Sequence, residues 1–206
     1  MDTNATSSLA AKPWALRAAL AMLAAGAVAL LYVLFAASSK PEPRAGLMRF
    51  STGELERLQT IEDAPPMPTR ALRDAAGVET NLQAFAGDLL VVNLWATWCA
   101  PCMEEMPTLG ALQRRYEGRL RVLPISVDSE PDLERAKREL TRLSGGSLPF
   151  LSDISRGVLF DVRAPGLPVT ILYDREGREL ARLPGGADWS GAEAAALMDA
   201  VLAGES

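Results

Sequence analysis

Leu89-Leu-Val-Val-Asn-Leu-Trp95 is a nearly continuous apolar run, and no other feature constrains the fold as much. A half-exposed strand alternates apolar and polar residues. One that stays apolar throughout is covered on both faces, as in the sheets of α/β proteins. The run leads through Ala96-Thr-Trp98 into Cys99-Ala-Pro-Cys102, and then into a stripe of Met106, Leu109, Leu112 and Tyr116 at helical spacing. Pro107 falls inside that helix and predicts a bend, because it removes one amide donor. Leu120–Val127 reads as a second buried strand. Leu133–Leu143 reads as a charged helix ended by Ser144-Gly-Gly146. Pro149–Ser152 reads as a short strand with a brief helix near Val158. Val169–Tyr173 and Glu179–Leu183 flank Asp174-Arg-Glu-Gly177, a hairpin with glycine at the turn. Ser190 and Glu193 form a capping-box pattern ahead of a last helix to Leu202. The order predicts an α/β sandwich around a mixed central sheet.

The N-terminal part is of another kind. Residues 18–39 carry no charge. A helix over that stretch reaches ~33 Å, against ~30 Å of hydrocarbon, and it is apolar all round where a core helix is amphipathic. It is therefore expected to be a transmembrane anchor. A cleavable signal peptide is the rival, with small residues at Phe35-Ala36-Ala37-Ser38, but its apolar stretch usually covers only ~7–15 residues. Lys12 and Arg17 precede the span and Lys40, Arg44 and Arg49 follow it, so flanking charge alone leaves the orientation open. A short N-terminal head stays inside as a rule, which assigns 1–17 to a cytoplasmic head and carries 40–206 across. In a bacterial chain this gives a single-pass inner-membrane protein with its C-terminal domain in the periplasm, where disulfides form readily. Residues 40–68 are expected as a linker holding a short helix, Thr52–Gln59, opened by a capping box at Ser51 and Glu54. The main domain is 69–206.

Composition removes several chemistries. There is no histidine, so a Ser–His–Asp triad, a Cys–His dyad and histidine metal ligands are excluded. The net charge of −5 disfavours a nucleic-acid partner. Cys99 and Cys102 are the only cysteines, too few for a disulfide scaffold or for a four-ligand zinc site. Met103 stands where a c-type haem motif has histidine. Met67, Met103, Met106 and Met198 form no metal-binding run, and packing is the default for each.

What remains is a dithiol at a strand-to-helix junction. Free amide donors and the positive dipole end there favour a thiolate at Cys99. The dipole supplies ~0.3–1 kcal/mol, while one pKa unit takes ~1.36 kcal/mol, so a larger depression needs direct hydrogen bonds to sulfur. Cys102 faces the same side one turn deeper. That arrangement suits Cys99 attacking a partner's disulfide and Cys102 resolving the mixed disulfide. Pro101 presets the first helical turn. Trp95 reads as a packing residue, whereas Trp98 borders the sulfur and can shape a partner groove.

Asn93-Leu-Trp-Ala-Thr-Trp-Cys-Ala-Pro-Cys102, followed by Glu105, Pro107 and Leu109, together with Gly166-Leu-Pro-Val-Thr170 and Asp174-Arg-Glu-Gly177, resembles the thioredoxin superfamily, and within it the membrane-anchored TlpA-like proteins. The resemblance covers about 70–206. It implies a thioredoxin fold with a TlpA-like helix–strand insertion, matched by Leu133–Ser152. It implies a cis Pro168 facing the dithiol, and backbone around Leu167 that receives a substrate chain like an added strand. Thioredoxin has a buried carboxylate where this chain has Asn93. Glu105 is the nearest replacement as proton acceptor, while as first-turn acids Glu104 and Glu105 also simply favour the helix dipole.

The expected function is a membrane-tethered periplasmic thiol–disulfide oxidoreductase needing no cofactor beyond the Cys99–Cys102 pair. The resemblance implies a reductant of specific proteins in cytochrome oxidase copper-site assembly or cytochrome c maturation. Candidate partners are a copper-delivery protein, the oxidase copper subunit or apocytochrome c, with a membrane thiol transducer as electron donor. The alternatives are a dithiol oxidase, and a module carrying Cu(I) on two soft thiolates.

Overall fold

The computed structural model describes residues 13–38 and 46–204, without the side chains of 13–16, 19 and 34–38. Most of the expected head, the side chains of Phe35–Ser38 and the spacer Lys40–Arg44 therefore lie outside the described residues. Two compact units are present, Met1–Glu42 and Pro43–Ser206. In the first, helix α1 runs Pro13–Ser38. Its described apolar side chains are open to solvent, with Leu20 58% and Tyr32 71% exposed. Among the described residues no helix is long and apolar enough to cross a membrane.

The second unit is built on one sheet of β1 (Leu72–Asp74), β2 (Glu79–Thr80), β3 (Leu90–Trp95), β4 (Arg121–Ser126), β5 (Leu151–Ser152), β6 (Val169–Tyr173) and β7 (Glu179–Pro184). The order across the sheet is β2-β1-β5-β4-β3-β6-β7. β3 lies in the middle, parallel to β4 and antiparallel to β6. Every residue of β3 is buried, as its nearly continuous apolar run requires, Asn93 being its one polar residue. The helices are α2 (Ala100–Arg115), α3 (Leu133–Ser144), α4 (Gly157–Asp161) and α5 (Ala192–Gly204). Met106, Leu109, Leu112 and Tyr116 are all buried, so the α2 stripe is its core face. α2 continues as an α-helix across Pro107. α3 ends on Gly145, whose φ of 66° is the left-handed conformation glycine supplies at a helix C-terminus.

Several expectations are corrected. The segment expected as helix Thr52–Gln59 forms only a 3-10 turn, Gly53–Leu55. Neither capping box forms. The Ser51 hydroxyl donates to the Glu56 carbonyl. The Ser190 hydroxyl bonds Asp188, and the Glu193 carboxylate accepts the Glu54 amide at 3.1 Å, tying the turn to α5. The reason is tertiary: Leu55 and Leu58 are buried in the core, and Gln59 pairs with Arg182 as an isolated β-bridge. Residues from Leu47 onward thus belong to the core of the second unit, where a linker was expected. β1 and β2 were not anticipated. They are joined by a turn in which Asp74 Oδ1 accepts the amides of Ala76 and Val78.

Candidate active site

β3 delivers the chain to the site, and the loop after it is fixed from below. Asp128, fully buried, accepts the Thr97 amide at 3.0 Å and the Thr97 and Ser126 hydroxyls at 2.8 Å each. Asp128 was not singled out from the sequence, although an acid two residues beyond a largely buried strand is a signal that it is paired. Cys99 is the N-cap of α2, with extended backbone (φ −96°, ψ 102°). Cys99 and Cys102 are joined as a disulfide. Cys99 keeps 7% exposure while Cys102 keeps none, so any approach from solvent meets Cys99 first.

Two grooves flank the pair. One, of about 540 Å³, is lined by Trp98, Cys99, Arg156, Leu159 and Leu167. Trp98 is 60% exposed there, an unusual position for an indole and one suited to covering a partner. The other is lined by Pro101, Glu104, Glu105, Pro168 and Gly186 among others. The Leu167–Pro168 peptide is cis, as the resemblance implied. The Pro168 carbonyl is taken by the Gly185 amide at 2.8 Å. Leu167 sits just before β6, half-buried, with no backbone hydrogen-bond partner among the described residues. Its amide and carbonyl are thus free to pair with an added strand.

Behind the disulfide lies a buried polar cluster. Glu105 is 3% exposed. Its Oε1 accepts Asn93 Nδ2 at 2.7 Å, and its Oε2 accepts the Ala187 amide and the Trp189 indole N–H, both at 3.2 Å. Asn93 Nδ2 also donates to Thr170 Oγ1 at 3.0 Å. Burial pushes the Glu105 carboxyl up to about 7, against the opposing pull of hydrogen bonds from Asn93, Trp189 and Ala187. A carboxyl with that value exchanges protons near neutral pH. Trp189 and the strap 185–187 complete this cluster and were missed in the sequence, because they lie far along the chain beyond β7.

The structure therefore brings Trp98 and Cys99 to one groove, Pro168 and Glu105 to the other and Leu167 to both, and buries Cys102 completely. Trp95 is fully buried in the core. Among the described residues no cluster of three or more Cys, Asp or Glu side chains could hold a metal ion.

The AhpC/TSA family pattern matches residues 64–182. The chain is 30% identical over 117 residues to the thioredoxin-like protein YneN of Bacillus subtilis, covering 57% of this chain and 68% of that one. It is 25% identical over 131 residues to the thiol-disulfide oxidoreductase ResA of Bacillus thuringiensis, covering 63% and 72%. Among solved structures, a Chlorobium tepidum protein assigned as a thiol:disulfide interchange protein DsbE superposes with a TM-score of 0.61 at 21% identity, over 69% of this chain and 99% of that one. At that identity the likeness shows the thioredoxin-like fold.

Proposed function

The chain belongs to the AhpC/TSA family of thioredoxin-like proteins, and from that premise we propose that it is a thiol–disulfide oxidoreductase working through Cys99 and Cys102. One observation carries the reading: a cysteine pair at the N-terminus of α2 presents Cys99 beside exposed Trp98 and the unpaired backbone of Leu167, with Cys102 sealed beneath. In the reducing direction the Cys99 thiolate attacks a target disulfide. A Cys99–target S–S bond forms and the target's other sulfur leaves as a thiolate. Cys102 then attacks the Cys99 sulfur, releasing the second target thiolate and closing the Cys99–Cys102 disulfide. The pair loses two electrons and the target gains them. Glu105, one turn beyond Cys102 on α2, takes the Cys102 proton as that sulfur becomes a nucleophile, and returns it when the pair is reduced again.

The uncharged stretch 18–39 supports retention at a bacterial inner membrane, with the second unit in the periplasm. In that setting the chain acts as a reductant of specific disulfides, in a copper-delivery protein, the copper subunit of an oxidase or apocytochrome c. A membrane thiol carrier recharges it. Two features of this chain favour a redox role over Cu(I) carriage: Trp98 before Cys99 and the proline at Pro168, which thiolate copper ligation does not need. The test is reduction of insulin disulfides by the dithiothreitol-reduced full chain in detergent micelles, alongside Cu(I) titration. Turnover that disappears in Cys99→Ser supports the reading. Tight Cu(I) binding with no turnover overturns it.

A further inference from the structure

The two grooves beside the dithiol differ in sign. The groove on the Trp98 side contains one charged side chain, Arg156, and no carboxylate. The groove on the Pro168 side contains Glu54, Glu104, Glu105 and Asp188 against the single cation Arg57. Pro101 and Leu167 line both, so the grooves meet across that pair.

Arg156 is placed with care. Its backbone is left-handed (φ 57°, ψ 12°), a conformation that residues with a side chain seldom take. It is held there by Asp153, whose carbonyl accepts the Arg156 amide at 3.1 Å and whose carboxylate accepts the amides of Ser155 and Val158 at 3.0 and 2.7 Å. Arg156 Nε donates to the Val127 carbonyl at 3.0 Å, and the guanidinium lies 6.0 Å from the centre of the Trp98 ring. Among the described residues its two terminal nitrogens have no partner and no carboxylate pairs with it. A cation anchored at one nitrogen, set over an aromatic ring and left with a free fork is suited to bind a carboxylate.

We propose that the cleft selects target segments carrying an acidic side chain on the Trp98–Arg156 side of the attacked cysteine. The proposal rests on the oxidoreductase reading above and names the class of polypeptide it acts on. The acidic opposite groove sharpens the selection, since a segment laid the wrong way round brings its carboxylate against Glu104 and Asp188.

The probes are three extended peptides with one cysteine as its 2-thiopyridyl mixed disulfide, differing only in flanking residues: aspartate, asparagine or lysine. The reduced Cys99 thiolate attacks the peptide sulfur, the probe's S–S bond breaks and pyridine-2-thione leaves with a proton. Cys102 then displaces the peptide thiol. Thione absorbance gives the rate, measured with the full chain in micelles at low salt. The aspartate peptide is expected to react about fivefold faster than the lysine peptide, a ratio that shrinks as salt is raised. Arg156→Gln should remove the ratio, Arg156→Lys keep it and Arg156→Glu invert it. Equal rates for the three peptides, or a ratio that survives Arg156→Gln, overturn the charge selection and leave the oxidoreductase reading intact. Release that is unchanged in Cys99→Ser overturns both.

Discussion

Asn93 Nδ2 donates to Glu105 Oε1 at 2.7 Å, joining the middle of the central strand to the helix that carries both cysteines. Both residues are buried. An amide at 93 can donate where a carboxylate could not, so it permits an ionised Glu105 in this position. The pair thus keeps one ionisable group beneath the disulfide, held at about 7 by burial.

Glu105 should make the fold less stable as pH rises. Its folded value of about 7 exceeds the 4.5 of an unperturbed glutamate, so the native state binds the proton more tightly than the unfolded chain. Stability is then greatest below about 4.5 and declines until about 7, by roughly 3 kcal/mol from this group. Urea unfolding of the wild type and Glu105→Gln across that range should show the decline in the first and its loss in the second. The same substitution should remove a titration near 7 from the pH profile of the resolving step.

Asn93→Asp should place a second carboxyl against Glu105. Two acids in hydrogen-bond contact cannot both ionise cheaply, so they share one proton well above the ordinary carboxylate range. The expected result is a coupled titration by carboxyl-carbon NMR and a loss of about 2–4 kcal/mol at neutral pH. Two ordinary carboxylate titrations would contradict the contact.

Arg57 should tune Glu105 from the surface. Its Nη2 donates to the Gly186 carbonyl at 3.0 Å, and the next amide, Ala187, donates to Glu105 Oε2. Gly185, at φ 86°, is in the left-handed region that strains any residue with a Cβ, and an added Cβ there would lie 2.5 Å from the Arg57 guanidinium and displace it from the strap. Arg57→Ala should loosen the strap, weaken a hydrogen bond to the ionised acid and move the Glu105 titration upward. The exposed arginine itself should contribute less than about 1 kcal/mol to stability. An unmoved titration would sever the link.

Asp128→Ala should disturb the approach to Cys99. It strands the Thr97 amide and two hydroxyls in a buried site, an effect of about 2–3 kcal/mol on unfolding. Thiol–disulfide exchange should slow because the loop bearing Trp98 and Cys99 loses its anchor. Full stability with a wild-type exchange rate would contradict that placement.

The centre of the fold was legible from local signals. The nearly continuous apolar run at 90–95 announces a strand buried on both faces, and the Cys99–Cys102 spacing places two sulfurs on adjacent turns. The edges were not. Asp74-Ala-Ala-Gly77 closes the β1–β2 hairpin just as Asp174-Arg-Glu-Gly177 closes β6–β7, with one aspartate oxygen accepting two amides in each. The first was overlooked because its strands have only three and two residues and no apolar alternation. Residues 51–59 misled for the converse reason: their helical signals are real, but packing of Leu55 and pairing of Gln59 with Arg182 override them. Glu105 could be suspected from its spacing to Cys102. Its partners Ala187 and Trp189 come from more than 80 residues away, a closeness only the folded sheet creates.

The central claim is the division of labour between the two sulfurs, and single-cysteine variants of the reduced full chain test it most directly. Cys102→Ser, with Cys99 left alone, should attack a disulfide-bearing protein and stop as a stable mixed disulfide visible on a non-reducing gel. Cys99→Ser, with only the fully buried Cys102, should form almost none. Equal capture by the two variants, or capture by Cys102 alone, would contradict the account.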